Sequence, residues 1–299
     1  MSKQTRARDA RTRLAEVQAE QARAERKRRL AIAGTAIAVI IAIIATFVGL
    51  RLAGVGGPKS SGSASTTASD AVTKAISSVP ASTLDSVGAG TAQGGPAKIN
   101  APALTADGKP LVLYLGAEYC PFCAAERWGL AVALSRFGTW TNLGQTTSSS
   151  ADVYPNTATL SFHGAKYDSK YVAFRGYETT TNELVGNSYK PLDTVSPEDQ
   201  KVIESYNKAP YTSGGIPFVN IGGVYVSSGS FFSPEILAGM SHEEIANAIS
   251  DPKSAVGKAV GGTANVFTAA ICEVTGHQPA NVCTSPGVVA AAKNLTTAG

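Results

Sequence analysis

Two cysteines with two residues between them, in Cys120-Pro121-Phe122-Cys123, carry the sharpest chemistry in this chain. Sulfurs at that spacing can close a structural disulfide, exchange a disulfide with other thiols, or supply half of a metal site. Exchange needs one of them as a thiolate, so the surroundings of each sulfur decide among the three. Pro121 suits the first position of a helix, where its missing N–H costs nothing. Cys120 then falls at the helix N-terminus, beside unpaired N–H groups and the positive end of the helix dipole. That setting lowers a thiol pKa and makes Cys120 the expected nucleophile, with Cys123 one turn on and more buried. A zinc site would need two further ligands, and Cys272, His277 and Cys283 do not have the spacing of a zinc knuckle. Neither a metal nor a cofactor is expected.

The elements needed to position these sulfurs are present on either side. Leu111-Val112-Leu113-Tyr114-Leu115 is a short apolar run opened by Pro110 and predicts a buried strand. Cys123, Leu130, Leu134 and Phe137 recur at helical spacing, among alanines that favour helix. Strand, cysteine pair and helix follow in the order a redox motif requires. Glu118, two residues before Cys120, is a candidate for tuning the thiolate or relaying a proton, the other reading being a solvated loop carboxylate. Phe122 between the cysteines is a candidate substrate contact, whereas Trp128 reads as packing. His163, His242 and His277 are isolated and receive no role.

Charge is unevenly distributed along the 299 residues. Residues 1–29 carry ten Lys/Arg against four acids, whereas beyond Arg51 there are 15 against 18. Leu30 to Leu50 is 21 residues without a charge, which at ~1.5 Å per residue reaches ~31 Å and can span a bilayer core. A cleaved signal usually has a shorter apolar region, of ~7–15 residues, so a retained anchor is expected, cleavage being the alternative. Arg26-Lys27-Arg28-Arg29 on one side and Arg51 alone on the other put the N-terminus in the cytoplasm and the body outside. The basic end is thus read as a topology signal, and with no aromatic in residues 1–29 to stack on bases, nucleic acid is not expected as a partner. All four cysteines lie beyond the anchor, as an oxidising compartment allows.

The organisation that follows is a basic cytoplasmic tail at 1–29, an anchor at 30–50, a Gly/Ser/Thr-rich linker at 51–69 and an extracytoplasmic domain at 70–299. Helix starts are expected near Asp70, at Ser196-Pro197, at Ser233-Pro234, at the capping box Ser241-His242-Glu243-Glu244 and at Ser285-Pro286. Another helix is expected over Val266–Val274, stopped by Gly276. Thr157–Phe162 and Tyr171–Phe174 alternate as strands. Phe218 to Val226 reads as two strands around a Gly222-Gly223 turn, with Pro217 tolerated at the strand start. Cys272 and Cys283 enclose ten residues; a structural bridge between C-terminal helices is favoured, and a second redox pair is the sharper alternative.

Several of these residues carry a resemblance. Ala117-Glu118-Tyr119-Cys120 is similar to the approach to the thioredoxin active site, and Ile216-Pro217 before a strand–Gly–strand hairpin is similar to that superfamily's cis-proline segment. Glu118 to Trp128, Gly214 to Gly223 and Cys272 to Cys283 together resemble membrane-anchored bacterial and archaeal proteins catalogued only as a domain of unknown function. The resemblance covers roughly residues 70–295. It implies an α/β thioredoxin-like fold with Pro217 in the cis form against the cysteine pair, and Ile216 and Pro217 shaping a substrate groove. Ninety-four positions separate Cys123 from Pro217, so an insertion is expected over about 139–195, with a helical C-terminal part over about 252–299. The implied activity is thiol–disulfide exchange on cysteines of exported proteins, reset by a membrane redox partner. The Pro-Phe dipeptide leaves its direction open, with oxidation favoured. A non-catalytic thioredoxin-fold subunit of a membrane complex is the alternative function.

Overall fold

The computed structural model describes residues 65–298. The basic tail, the expected anchor at 30–50 and most of the linker lie outside the described residues. Among the described residues no helix is long and apolar enough to cross a membrane.

The chain opens with β1 (Thr66–Thr67), α1 (Asp70–Ser77) and α2 (Ala81–Val87). Ser69 caps α1 through its side chain, and Val72 and Ile76 form the buried face that their spacing predicts. Short strands β2 (Ala97–Lys98) and β3 (Thr105–Ala106) lead into β4 (Lys109–Gly116), which feeds α3 (Pro121–Ser135). Seven strands follow: β5 (Thr139–Thr141), β6 (Gly144–Thr147), β7 (Ala158–Ser161), β8 (Lys166–Asp168), β9 (Ala173–Glu178), β10 (Thr180–Val185) and β11 (Ser188–Pro191). After α4 (Pro197–Tyr206) come the hairpin strands β12 (Phe218–Ile221) and β13 (Tyr225–Ser228). The chain closes with α5 (His242–Ala248), α6 (Ala255–Val274), α7 (Ala280–Cys283), α8 (Pro286–Ala291) and β14 (Thr296–Thr297).

The main sheet of this mixed α/β fold has seven strands and runs β14-β2-β13-β12-β4, with β3 and β9 also paired to β4. β4 is therefore interior, antiparallel to β12 on one side and parallel to β9 on the other. Its alternation assigns its two faces to two cores. Leu111 and Leu113 join Phe218, Val226 and Ile203 of α4 on one face. Val112 and Tyr114 join α3, α6 and the α1 side chains on the other. The result is helices, sheet and helix in three layers, the arrangement that buries both faces of a sheet containing parallel strands.

α3 is enclosed along its length. Trp128 is fully buried and its Nε1 donates to Ala158 O at 3.1 Å. Removing about 200 Å² of side chain from water at about 25 cal/mol/Å² contributes on the order of 5 kcal/mol. Gly129 faces α6, where a Cβ would run into the Thr263 side chain, so these helices approach closely only because residue 129 lacks one.

Three expectations meet a different structure. Within the stretch expected to be an insertion, β9 belongs to the main sheet, and the excursion proper comprises β5–β8 before it and the β10–β11 hairpin after it. The strand expected at Tyr171–Phe174 starts two residues later and runs on to Glu178, its extension being polar: Arg175 Nη1 donates to both Asp199 oxygens at 2.9 and 2.7 Å, and Tyr177 Oη donates to one at 2.8 Å. The helix expected from Val266 begins at Ala255, where Gly257 and Gly262 lie close to the Asp251 and Ala89 backbone and Val256, Ala259 and Val260 supply the buried face. Ser233-Pro234 opens only a four-residue 3-10 turn.

Candidate functional site

β4 ends at Gly116, and the turn 117–119 delivers Cys120 to the start of α3. Cys120 has extended backbone angles and sits at the N-cap, Pro121 is in the first turn, and the Cys120 sulfur accepts from the Cys123 N–H at 3.4 Å. Its own N–H donates to Ala117 O at 3.2 Å, and its carbonyl accepts from Ala124 N at 3.0 Å. A side chain that accepts at an N-cap satisfies one of the helix's orphan donors, and a thiolate does so better than a thiol.

Both cysteines are free thiols. Cys120 is 6% exposed and Cys123 0%. The Cys120 thiol is pulled below its ordinary value, first by the hydrogen bond from the Cys123 thiol, against the opposing effect of burial. The Cys123 N–H, the Arg127 charge and the Phe122 N–H lower it further. Cys123 is pushed well above its ordinary value, first by burial and then by the same bond to Cys120. One sulfur is thus disposed to be the nucleophile and its partner to hold the proton.

The loop carboxylate Glu118 is fully buried, which overturns its reading as a solvated group. Ser161 Oγ donates to its Oε1 at 2.6 Å, and Oε2 has no hydrogen-bond partner among the described residues. Beside it lies an ion pair that sequence reasoning missed. Arg127 donates from Nε to Glu178 Oε1 at 2.8 Å and from Nη2 to Oε2 at 2.6 Å, both side chains being fully buried. Arg127 Nη2 also reaches Ala117 O at 2.7 Å, the same carbonyl that receives the Cys120 N–H. The available signal was spacing: residues 120, 123 and 127 fall on one helix face, and a charged pair, Glu126-Arg127, interrupts a run of small and apolar residues. Glu126 was missed as well. It is fully buried, its Oε2 accepts from Phe231 N at 3.2 Å, and burial raises its pKa to about 8.

Aromatic rings frame the approach to Cys120. Tyr119 stacks on Tyr189 of β11 with centroids 4.1 Å apart and planes 4° apart. Phe122 is 40% exposed and meets Tyr154 edge to face. Pro217 follows a cis peptide bond and is buried, while Ile216 is half-buried. Phe218 pairs with Leu115, so Ile216 and Pro217 leave the sheet at the same end as the cysteine motif. His163 pairs with Asp193 at 2.6 Å, and His242 bonds backbone carbonyls of Thr146 and Thr159.

Cys272 and Cys283 form a disulfide with Cα atoms 5.6 Å apart. Neither is free to join Cys120 and Cys123 as a metal ligand. Val274 lies against Gly222, at the other end of β12 from Pro217. Arg136, just past the C-terminus of α3, reaches Ser285 near the bridge. Both contacts put the bridge toward the end of α3 away from Cys120.

No curated protein and no solved structure matches this chain. The family described as a domain of unknown function (DUF929) matches residues 95–273, and the chain belongs to that family.

Proposed function

We propose that this protein is a membrane-anchored, extracytoplasmic thiol–disulfide oxidoreductase with a thioredoxin-like core, acting on cysteines of exported proteins. The observation that carries the reading is the asymmetry of the pair: Cys120 at an N-cap with a stabilised thiolate, Cys123 buried and proton-holding. The neighbour order β9-β4-β12-β13, with α3 leaving the end of β4, supports the thioredoxin-like core. The 21-residue uncharged segment and its flanking arginines support the anchor and its orientation.

In the oxidising direction a substrate thiolate attacks Cys120 of the Cys120–Cys123 disulfide, and Cys123 leaves with the electron pair. A second substrate thiolate attacks the substrate sulfur of the mixed disulfide and expels Cys120. The substrate is oxidised by two electrons and the pair reduced by two, the protons passing to solvent. A membrane redox partner then reoxidises the pair. Ile216 offers backbone to an extended substrate segment, and Glu118 tunes the site from beneath.

The test is Cys123→Ala in the full chain. An exchanger accumulates mixed disulfides through Cys120 that reductant releases. A chain that traps nothing is instead a binding subunit, and the proposal fails. The reduction potential sets direction, near ~−120 mV for a strong oxidant and ~−270 mV for a reductant.

A further inference from the structure

We propose that Arg127, locked by Glu178, is a positioning residue that holds fixed positive charge against both sulfurs and stabilises the thiolate expelled when the Cys120–Cys123 disulfide opens. The inference rests on the exchange reading above and assigns that site its electrostatic partner. Two observations carry it. Residues 120, 123 and 127 lie at i, i+3 and i+7 of one helix, so the guanidinium is on the face that carries the sulfurs. Its hydrogen bonds run to Glu178 from Nε and Nη2 and to Ala117 O from Nη2, which leaves Nη1 buried with no hydrogen-bond partner among the described residues. An unpartnered buried donor is costly and calls for a role. A charge that appears only during the reaction supplies one, because a donor poised for developing charge needs no reorganisation when that charge arrives.

The step itself balances. The incoming substrate thiolate forms a bond to Cys120 Sγ, the Sγ–Sγ bond breaks, and the pair of electrons goes to Cys123 Sγ. That sulfur is fully buried, so its anion has no water to solvate it and depends on protein charge. Among the described groups that act on the two sulfurs are Arg127 from α3, a cation, and Tyr114 from β4, Tyr119 from the turn and Glu178 from β9. Glu118 acts on Glu178. Glu178 has a double effect: it fixes the fork of Arg127 and partly cancels its field.

The experiment titrates the reduced full chain by thiolate ultraviolet absorbance and by the pH dependence of alkylation at Cys120, neither of which needs a substrate. Arg127→Met alone strands Glu178, so the informative variants are Arg127→Met/Glu178→Gln, Glu178→Gln and Arg127→Lys, each checked for folding by circular dichroism. The double variant is expected to raise the Cys120 midpoint by about one unit, a tenfold loss of thiolate at a pH below it. Glu178→Gln is expected to shift it the opposite way, by unmasking the guanidinium. Arg127→Lys, which keeps charge without the fork, is expected to stay nearer to the parent than the double variant. A merely structural pair would move both neutralising variants in the same direction or move neither, and either result overturns the inference. Failure of the Cys123→Ala trap with these shifts intact would remove the exchange reading and leave the electrostatic assignment standing.

Discussion

Replacing Glu126 by Gln isolates the effect of one buried acid on stability. Glu126 sits inside α3 with no exposed surface, one oxygen accepting from Phe231 N and the other without a partner among the described residues. Burial raises its pKa from 4.5 to about 8. Below pH 4.5 the carboxyl is protonated in both the folded and unfolded chain, and the folded state carries no penalty from it. As pH rises toward 8 the unfolded chain ionises and the folded chain does not, so stability falls by about 1.4 kcal/mol per unit, on the order of 5 kcal/mol across the window. Glutamine cannot ionise. Urea denaturation of parent and Glu126→Gln at pH 5, 6, 7 and about 8 is expected to show their difference closing and then reversing in favour of the variant. The substituted glutamine carries its own constant cost of about 1–3 kcal/mol for an unpaired buried amide, which shifts the variant's curve without changing the slope. Parallel curves across this range would refute the argument, since they would mean that Glu126 titrates alike in both states.

Three further outcomes follow from the structure. Brief alkylation of the reduced chain near pH 7 is expected to label Cys120 and spare Cys123, because a lowered pKa leaves more thiolate at that pH and a raised one leaves almost none; mass spectrometry showing Cys123 labelled first would contradict the assignment. Cys272→Ser with Cys283→Ser opens a bridge spanning 11 positions and is expected to cost about 3 kcal/mol of stability on loop entropy, read by denaturation under oxidising conditions. Gly129→Ala pushes a methyl into Thr263 and is expected to cost about 1–3 kcal/mol, with Thr263→Ser in the same chain recovering part of it.

What the sequence made legible is local. The strand Leu111–Leu115, Pro121 in the first turn of α3, the Ser196 and Ser241 caps and the turn at Gly222 with Gly223 are each signalled by residues close together in the chain. What stayed hidden depends on partners far apart. Arg127 and Glu178 are 51 positions distant, and neither looks buried until β9 is paired with β4. β9 is read only as far as Phe174, because the polar face beyond it finds its partner in Asp199 on α4. Glu118 looks exposed on a turn but is covered by Ser161 of β7. The start of α6 mixes glycines that lie close to neighbouring backbone with a short apolar stripe, Val256, Ala259 and Val260, which the reading from Val266 onward did not include.

The central place of β4 has a consequence for motion. With β9 along one flank and β12 along the other, its amide groups have no free edge from which to fray. Deuterium should therefore reach Val112 to Leu115 only when the whole domain opens, whereas the two-residue strands β2 and β14 should exchange readily. The cysteine turn is thereby mounted on the segment expected to exchange most slowly among the described residues.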